Sequence, residues 1–227
     1  MRALTKYDDL DEQLIEEHVA LPADRPADRA FVRLNMISSV DGGSAVDGVS
    51  GGLGNRDDHA VFAALRDRAD CVLVGLSTVV AEQYGPPAQA DLQILVVAPT
   101  PDVSGNPSLF ASGRATFVLG ATAPPTPPGV PEMRVGEGAS VDLAGLVREL
   151  RGQVVMLEGG PSLAGVMVSL GLVDELFHTA APMVVAGESA RIAHGPAADA
   201  HAWVLMHGFC DDPGYLFLRY ARNRSAT

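Results

Sequence analysis

Residues 153–171 read QVVMLEGGPSLAGVMVSLG, and this stretch decides the fold. Residues 153–157 have the apolar character of a buried strand, and residues 162–170 that of a helix. Gly159 and Gly160 lie between them and allow a ligand to approach the backbone closely, while the first N–H groups of a helix have no acceptor inside it. The stretch therefore predicts a strand, a phosphate-binding turn and a helix. Glu158 lies at the mouth of the turn, and its acidic side chain fits better beside the reacting end of a ligand than beside a phosphate.

The segments before this stretch alternate between strand and helix patterns. Buried strands are predicted at 31–37, 70–75, 92–98 and 115–119, and helices at 56–68, 76–83, 107–112 and 141–150. Such alternation predicts an α/β fold of three layers, a mostly parallel sheet with helices on both faces. Three strand-like segments at 174–185, 202–209 and 215–220 follow, and they should pair antiparallel at one edge of the sheet.

Length and composition favour one domain spanning residues 1–227. The chain is 47% hydrophobic and can bury a full core. A helix at 9–19, closed by Pro22 and Pro26, predicts a helical lead-in over residues 1–29, with the core over 30–227. The glycine-rich loop at 38–54 has no predicted structure of its own, which is typical of a functional loop.

The charge and the cysteines limit the partners and the compartment. A net charge of −12 argues against nucleic acid and anionic membranes, since both need clustered Lys and Arg. Cys71 and Cys210 are far apart, which favours a reducing cytosol. No apolar run approaches the roughly 18 residues of a membrane span. We therefore expect a soluble, cytoplasmic protein.

Three common functional motifs were considered. Residues 48–52 match the Gly-x-Ser-x-Gly pattern of serine hydrolases, but that pattern needs a strand directly before the serine and a helix directly after it, and Ser50 has neither. The six histidines form no His-Glu-x-x-His pair, and no metal site is predicted. No Gly-x-Gly-x-x-Gly follows a strand, so an ordinary Rossmann site is excluded.

Two residues are ambiguous by pattern alone. Asp41 belongs to Ser39-Val40-Asp41-Gly42, which opens the long loop, and an Asp-Gly pair often simply makes a turn. Arg66 follows Phe62 by four residues on the predicted helix and could equally face solvent.

Taken together and in order, these segments resemble the reductase domain of the riboflavin pathway. That domain occurs as the C-terminal half of a bifunctional deaminase-reductase and as stand-alone pyrimidine reductases, with a dihydrofolate-reductase-like fold. The similarity extends from about residue 30 to the C-terminus. The residues that carry it are Ser39 to Gly42, Leu65-Arg66, Ala69 to Gly75, Thr78-Val79, Leu157 to Gly165, Gly171 to Leu176 and Ala181-Pro182.

The resemblance implies a homodimeric, NADPH-dependent oxidoreductase that reduces the ring-opened ribose of a ribosylaminopyrimidine 5′-phosphate to ribityl. The implied cofactor contacts are Val74, Gly75, Thr78, Glu82, Gly159, Gly160, Pro161, Ser162, Leu163 and Ala164. The implied substrate contacts are Asn35, Ser50, Arg66 and Glu158. Hydride transfer also needs one proton supplied or steered, for which Asp41 and Glu158 are both candidates. The arginines that could read the 2′-phosphate of NADPH are Arg56, Arg66, Arg68 and Arg114.

The substrate half of the chain departs from the family pattern. Asn35 stands where many members have lysine, Gly52 replaces a common tryptophan, and residues 82–87 lack an arginine expected there. Two alternatives therefore remain open, namely a same-fold reductase of another heterocycle, such as dihydrofolate or another dihydropterin, and a nucleotide-binding protein without turnover.

Overall fold

A computed structural model describes residues 5–7, 11–195 and 200–223 of the chain. In chain order, the elements in these residues are β1 (Thr5–Tyr7), α1 (Glu12–Val19), β2 (Phe31–Ser39), α2 (Arg56–Arg66), β3 (Cys71–Gly75), α3 (Leu76–Ala81), β4 (Gln93–Val97), α4 (Pro107–Ala111), β5 (Ala115–Leu119), β6 (Glu132–Arg134), α5 (Leu143–Glu149), β7 (Val154–Leu157), α6 (Pro161–Ser169), β8 (Glu175–Ala181), β9 (Trp203–Asp211) and β10 (Leu216–Arg222). None of the helices in these ranges is long and apolar enough to cross a membrane.

The described strands form one sheet in the order β1-β9-β10-β8-β2-β7-β3-β4-β5-β6. The strands from β8 through β2, β7, β3, β4 and β5 to β6 are parallel, and β10 pairs antiparallel with both β8 and β9. The predicted mostly parallel sheet with an antiparallel C-terminal edge is thus confirmed.

Side chains alternate between the two faces of the sheet, and each face is covered by its own helices. On one face, Val72, Val74 and Met156 pack with residues of α1, α2, α3 and α4. On the other face, Leu73 and Leu157 pack with residues of α5 and α6. The sheet and the helices on its two faces form the predicted three layers.

The lead-in and the far edge of the sheet differ from the sequence prediction. Only a helix was predicted before residue 30, but Thr5–Tyr7 form a strand parallel to β9. The structure also adds β6, which pairs with β5 at the opposite edge. Part of the predicted lead-in, residues 1–4 and 8–10, lies outside the described residues.

The N-termini of the helices are of two kinds. Asp11, Asn55 and Asp142 cap α1, α2 and α5 by accepting hydrogen bonds from backbone N–H groups of the first turn. In contrast, α3 and α6 begin after Gly75 and Gly160, which have no capping side chain. These two helix starts are adjacent, because the Gly75 N–H donates to the Gly159 carbonyl at 2.9 Å.

His18 is buried at the end of α1, against the C-terminal part of the sheet. Its ring packs edge-on against Phe177 and Phe209, and its Nδ1 lies 2.9 Å from Nδ1 of His207. Burial, with smaller contributions from His207, Arg219 and Arg33, lowers the pKa of His18 to about 3.

We expect His18 to make the protein acid-sensitive. Its pKa is lower in the folded than in the unfolded state, so below the unfolded pKa of about 6.5 the unfolded state binds a proton that the folded state does not. Neutral His18 therefore makes its full contribution to the free energy of unfolding above that pH. This contribution is lost as the pH falls toward 3, by up to about 1.4 kcal/mol per pH unit. Denaturant unfolding of wild type and His18→Asn between pH 4 and 7 measures this. The variant should show the shallower pH dependence, and equal slopes would contradict the expectation.

Candidate active site

The parallel strands β2, β7 and β3 are neighbours and end at the same edge of the sheet. A cavity of about 930 Å³ opens there, as is usual beyond the carboxyl ends of strands in open α/β sheets. Its lining includes residues from β2, α2, α3, the turn after β7, the long loop after β2 and the segment 185–190. Of the predicted substrate contacts, Asn35, Ser50, Arg66 and Glu158 all line it.

The turn between β7 and α6 forms one wall of the cavity. Gly159 has a φ of +86°, a conformation that favours glycine, and the Gly159–Gly160 peptide is cis. A Cβ on Gly160 would lie 2.4 Å from Oγ1 of Thr78, so Thr78 and the turn are in close contact. Pro161 is the first residue of α6 and has no N–H, and the next N–H groups, at Ser162 and Leu163, belong to the helix turn that lacks internal acceptors. This wall is suited to a phosphate group.

Glu158 lies beside this turn in a buried ion pair. Arg66 donates from Nε and Nη2 to the two carboxylate oxygens of Glu158, each at 2.7 Å, and the Tyr84 hydroxyl donates to Oε2 at 2.6 Å. The Glu158 side chain is 2% exposed and that of Arg66 18%. Arg66 comes from the end of α2 and Tyr84 from the segment after α3. The fold thus brings two distant parts of the sequence to the Glu158 carboxylate.

Aromatic rings and charge set the protonation states of Arg66 and Tyr84 in this cluster. The guanidinium of Arg66 lies 4.5 Å from the Phe62 ring centroid and 5.6 Å from that of Tyr84. Burial alone would lower the pKa of Arg66, but the Glu158 carboxylate outweighs it and the pKa is raised. Burial, and then Glu158, raise the pKa of Tyr84 well above its ordinary value. Tyr84 therefore stays protonated at neutral pH and acts as a hydrogen-bond donor.

Glu82, a predicted cofactor contact, and Ser50, a predicted substrate contact, are hydrogen-bonded to each other. Oε1 of Glu82 accepts a hydrogen bond from the Ser50 N–H at 2.7 Å, and both residues line the cavity. Glu82 therefore holds the glycine-rich loop against α3. Ser50 lies within this irregular loop, with no strand directly before it and no helix directly after it, which a serine-hydrolase motif would require.

Asp41 is placed differently from the other candidate acid. It is exposed and is not among the residues that line the cavity. Its carboxylate accepts hydrogen bonds from Ser39 Oγ at 2.6 Å and from the N–H groups of Val185 and Ala186 at 3.2 and 2.8 Å. The hydrogen bond from Ser39, followed by those from the backbone, lowers the pKa of Asp41. Asp41 thus fixes the segment 185–190, which forms part of the cavity wall.

The charged side chains around the cavity are mostly acidic. Asp47, Asp58, Glu82 and Glu158 line it, and Arg66 is the only Lys or Arg that does so in the described part of the chain. Burial raises the pKa of Asp58, which a hydrogen bond with Thr179 partly opposes. Two of the arginines considered for the cofactor are engaged elsewhere: Arg68 with Glu16 and Arg114 with the carbonyls of Gln89 and Leu92. Within the described ranges, no group of three His, Cys, Asp or Glu side chains could hold a metal ion.

Sequence reasoning did not assign Tyr84, Asp58, Phe62 or the segment 185–190 to the site. Tyr84 lies within residues 82–87, which in the sequence only depart from the family pattern. Asp58 has the spacing of a helix N-terminal residue, which gives no sign of a ligand. The segment 185–190 reaches the cavity through pairing with the glycine-rich loop, where Ser44 N–H donates to the Ala190 carbonyl at 2.9 Å. No local pattern predicts such a contact.

The fold defines an α/β protein of the dihydrofolate-reductase-like class. It is similar to a dihydrofolate reductase from Enterococcus faecalis solved with NADP(H), with a TM-score of 0.52 and 15% identity over 85% of this chain and 96% of that one. Residues 30–217 match the RibD C-terminal domain, and the chain belongs to this family. The predicted family is thereby confirmed.

Individual relatives agree with this membership. The chain is 31% identical to the 2,5-diamino-6-ribosylamino-4(3H)-pyrimidinone 5′-phosphate reductase of Methanothermobacter thermautotrophicus, over 72% of this chain and 82% of that one. A pyrimidine reductase-like protein from Corynebacterium diphtheriae shares the fold, with a TM-score of 0.75 and 23% identity over 93% of this chain and 99% of that one. The riboflavin biosynthesis reductase of Saccharomyces cerevisiae also shares it, with a TM-score of 0.71 and 16% identity over 93% and 98%. The chain is therefore a member of a reductase family.

Proposed function

We propose that this chain reduces the ribosyl group of a ribosylaminopyrimidine to ribityl, by hydride transfer from NADPH. One observation carries the proposal: Gly160 and Pro161, at the start of α6, line the same cavity as the buried Glu158–Arg66–Tyr84 cluster. A cofactor held at the start of α6 and a sugar held at the Glu158 cluster would meet between these two places. Family membership, and the substrate named for the Methanothermobacter relative, support this choice.

The wall between α3 and α6 would hold the cofactor. The N–H groups of Ser162 and Leu163 would bind the pyrophosphate, and Gly159 and Gly160 would let it approach the backbone. Thr78 Oγ1, beside Gly160, would add a hydroxyl contact, and Val74 and Gly75 would support the turn, since the Gly75 N–H donates to the Gly159 carbonyl. When bound, the nicotinamide supplies the hydride, and the protein has to hold it against the sugar C1.

Glu158 would act on the sugar as a carboxylate. Opening of the ribosylamine ring breaks the bond between C1 and the ring oxygen; the oxygen takes up one proton from solvent and becomes a hydroxyl, and C1 becomes the carbon of an iminium. Hydride addition to this carbon yields the neutral ribitylamine. The pairing of Glu158 with Arg66 and Tyr84 favours a role in stabilising this positive charge over one in donating a proton. Asn35 and Ser50, which also line the cavity, would contact the rest of the substrate. Asp41 would act indirectly, by fixing the cavity wall.

The proposal is tested by mixing the protein, NADPH and a ribosylaminopyrimidine, with and without its 5′-phosphate. Reduced-nicotinamide absorbance should fall, and mass spectrometry should show the ribityl product. No consumption with either form would refute the proposed function. Consumption with a dihydropterin alone would replace it by reduction of another heterocycle, and cofactor binding without any turnover would indicate a binding protein.

Removing the Tyr84 hydroxyl should slow the reaction without weakening cofactor binding. In Tyr84→Phe, Glu158 loses one of its three hydrogen bonds. A hydrogen bond to a charged group contributes about 1.5 kcal/mol or more, so kcat should fall roughly tenfold. Steady-state kinetics and NADPH titration measure both effects. Tyr220→Phe, on β10 and away from the cavity, is the matched control, and equal kcat in the two variants would remove Tyr84 from the mechanism.

We further propose a homodimer, in the cytoplasm, of a single-domain chain. The continuous sheet supports one domain, and the two free cysteines fit a reducing compartment. The start of β9 carries three exposed apolar side chains, Val204, Leu205 and Met206, at 47–58% exposure. Here β9 pairs only with β10 among the described residues, because β1 reaches only Phe209 to Asp211. An apolar strand edge of this kind is suited to a second copy of the chain.

Leu205→Glu should therefore give a monomer in analytical ultracentrifugation, because a buried unpaired charge opposes association. Leu170→Glu, at a site of similar exposure after α6, is the control and should leave the dimer intact. A dimer in both variants would place the interface elsewhere.

A further inference from the structure

One face of α2 lines the cavity with three side chains of different chemistry. Asp58, Phe62 and Arg66 follow one another at intervals of four residues, so they share a face of the helix, and all three line the cavity. Since an α-helix rises about 1.5 Å per residue, Asp58 and Arg66 are separated by about 12 Å along the axis. Arg66 pairs with Glu158, where the proposed function places the sugar C1. The face therefore leads from the reacting carbon to a second carboxylate.

Asp58 is a half-buried carboxylate to which the proposed function gives no role. Burial raises its pKa, because the carboxylate has lost part of its water, and a hydrogen bond from the buried Thr179 opposes this only in part. Within residues 5–7, 11–195 and 200–223, no lysine or arginine forms an ion pair with it. A carboxylate has about four acceptor sites, so one hydroxyl leaves sites for donors on a ligand in the cavity.

The geometry of a 6-ribosylaminopyrimidine matches this face. Its sugar C1 is bonded to the 6-amino nitrogen, and N3 lies across the ring from C6. With C1 at Glu158 and the ring beside Phe62, the edge formed by C2 and N3 is the part of the ring that extends farthest toward Asp58. The Phe62 ring, which already packs on Arg66 at 4.5 Å, offers an aromatic surface to the planar heterocycle.

We propose that Asp58 binds this far edge of the heterocycle and selects a ring that carries an amino group at C2. A 2-amino-4-oxopyrimidine presents its N3–H and its 2-amino group side by side, two donors that match the two carboxylate oxygens. A uracil ring has a carbonyl at C2, and its oxygen would face a carboxylate oxygen with no hydrogen between them. Uracil also has adjacent donors at N1 and at the 6-amino nitrogen, but these adjoin the sugar C1 at the Glu158 end.

The proposal rests on the proposed function and specifies its heterocycle. A ring that keeps its 2-amino group has not undergone hydrolytic deamination at C2. Reduction by this chain would therefore come before any reaction in which water replaces that amino group and ammonia is released.

The direct test compares kcat/KM with NADPH for two 5-amino-6-ribosylaminopyrimidine 5′-phosphates that differ only at C2, one with an amino group and one with a carbonyl. We expect the 2-amino form to be preferred by about tenfold or more, the effect of losing a hydrogen bond to a charged group. Equal use of both forms, or preference for the uracil form, would overturn this proposal and leave the proposed function standing. Turnover of neither form would refute the proposed function and this proposal with it.

Asp58→Asn tests whether this side chain sets the preference. The amide keeps one acceptor, for N3–H, and gains a donor that suits the C2 carbonyl of uracil. The variant should lose activity with the 2-amino form and gain it with the uracil form, so that the ratio of the two kcat/KM values changes by about tenfold or more. A purely structural role of Asp58 predicts an equal loss with both forms, and that result would overturn the proposal.

Asp57→Asn is the matched control. It removes the same charge from the same first turn of α2, but Asp57 does not line the cavity. The ratio of the two kcat/KM values should stay at its wild-type level. A change as large as that of Asp58→Asn would attribute the preference to the charge of the helix N-terminus and overturn the proposal.

Product binding to the wild-type protein supplies a measure that needs neither turnover nor a folded variant. Calorimetric titration of the protein with NADP⁺ should show the 2-amino ribityl product bound about tenfold or more tightly than the uracil ribityl product. Equal affinities would overturn the proposal.

Discussion

Replacing Glu158 by glutamine is expected to lower kcat by at least about 100-fold, in the range found for groups that act on the transition state. The amide keeps the size of the side chain but removes the charge that would stabilise the iminium. It also leaves Arg66 without its counter-ion in a half-buried position, so the melting temperature should fall too. Assays of NADPH consumption well below that temperature separate the two effects. NADPH affinity should change little.

Asp41→Asn is the matched control, because it makes the same acid-to-amide change outside the cavity. Its carboxylate accepts hydrogen bonds from Ser39, Val185 and Ala186, so the variant should loosen the cavity wall and raise KM more than it lowers kcat. Full turnover in Glu158→Gln would remove Glu158 from the chemistry. Full turnover in both variants would exclude both acids.

Gly159→Ala is expected to weaken NADPH binding at least about tenfold. Residue 159 has a φ of +86°, which costs a non-glycine residue about 1–2 kcal/mol. The new Cβ would also lie 3.0 Å from the sulfur of Met36, so Met36 or the turn has to move. Since this turn leads into the N–H groups proposed for the pyrophosphate, strain at residue 159 acts directly on cofactor affinity. Calorimetric or fluorescence titration with NADPH measures it.

Gly152→Ala separates backbone strain from cofactor binding. Gly152 has a similar φ of +83°, but an added Cβ would meet nothing within 4 Å, and the residue does not line the cavity. Both variants should lose similar stability, and only Gly159→Ala should lose NADPH affinity. Unchanged affinity in Gly159→Ala would move the cofactor away from this turn.

The sequence predicted the central elements because their signals are local. Residues 153–171 combine an apolar run, two glycines and a second apolar run, and they form β7, the turn and α6. Strands β1 and β6 were missed because each has three residues, too few for alternation to show. β1 pairs with β9, which is distant in sequence, and β6 is separated from its partner β5 by the proline-rich segment 120–131.

The candidate site was only partly predictable, because its contacts join residues that are distant in sequence and local patterns do not show them. The resemblance named Arg66 and Glu158, but the spacing of Arg66 fits a solvent-facing helix residue equally well, and only the fold shows its pairing with Glu158. Tyr84 follows a short helix and precedes Gly-Pro-Pro, a pattern of a surface turn, yet its hydroxyl reaches the same carboxylate. The excess of carboxylates around the cavity depends on three-dimensional placement and has no signature in a chain of net charge −12.

A crystal structure with NADP⁺ and the ribityl product tests the central claim most directly. We predict the pyrophosphate on the N–H groups of Ser162 and Leu163, and the ribityl C1 about 3.5 Å from the nicotinamide C4, on the side of Glu158. A cofactor bound away from residues 159–164, or a product whose C1 lies far from Glu158, would contradict the account.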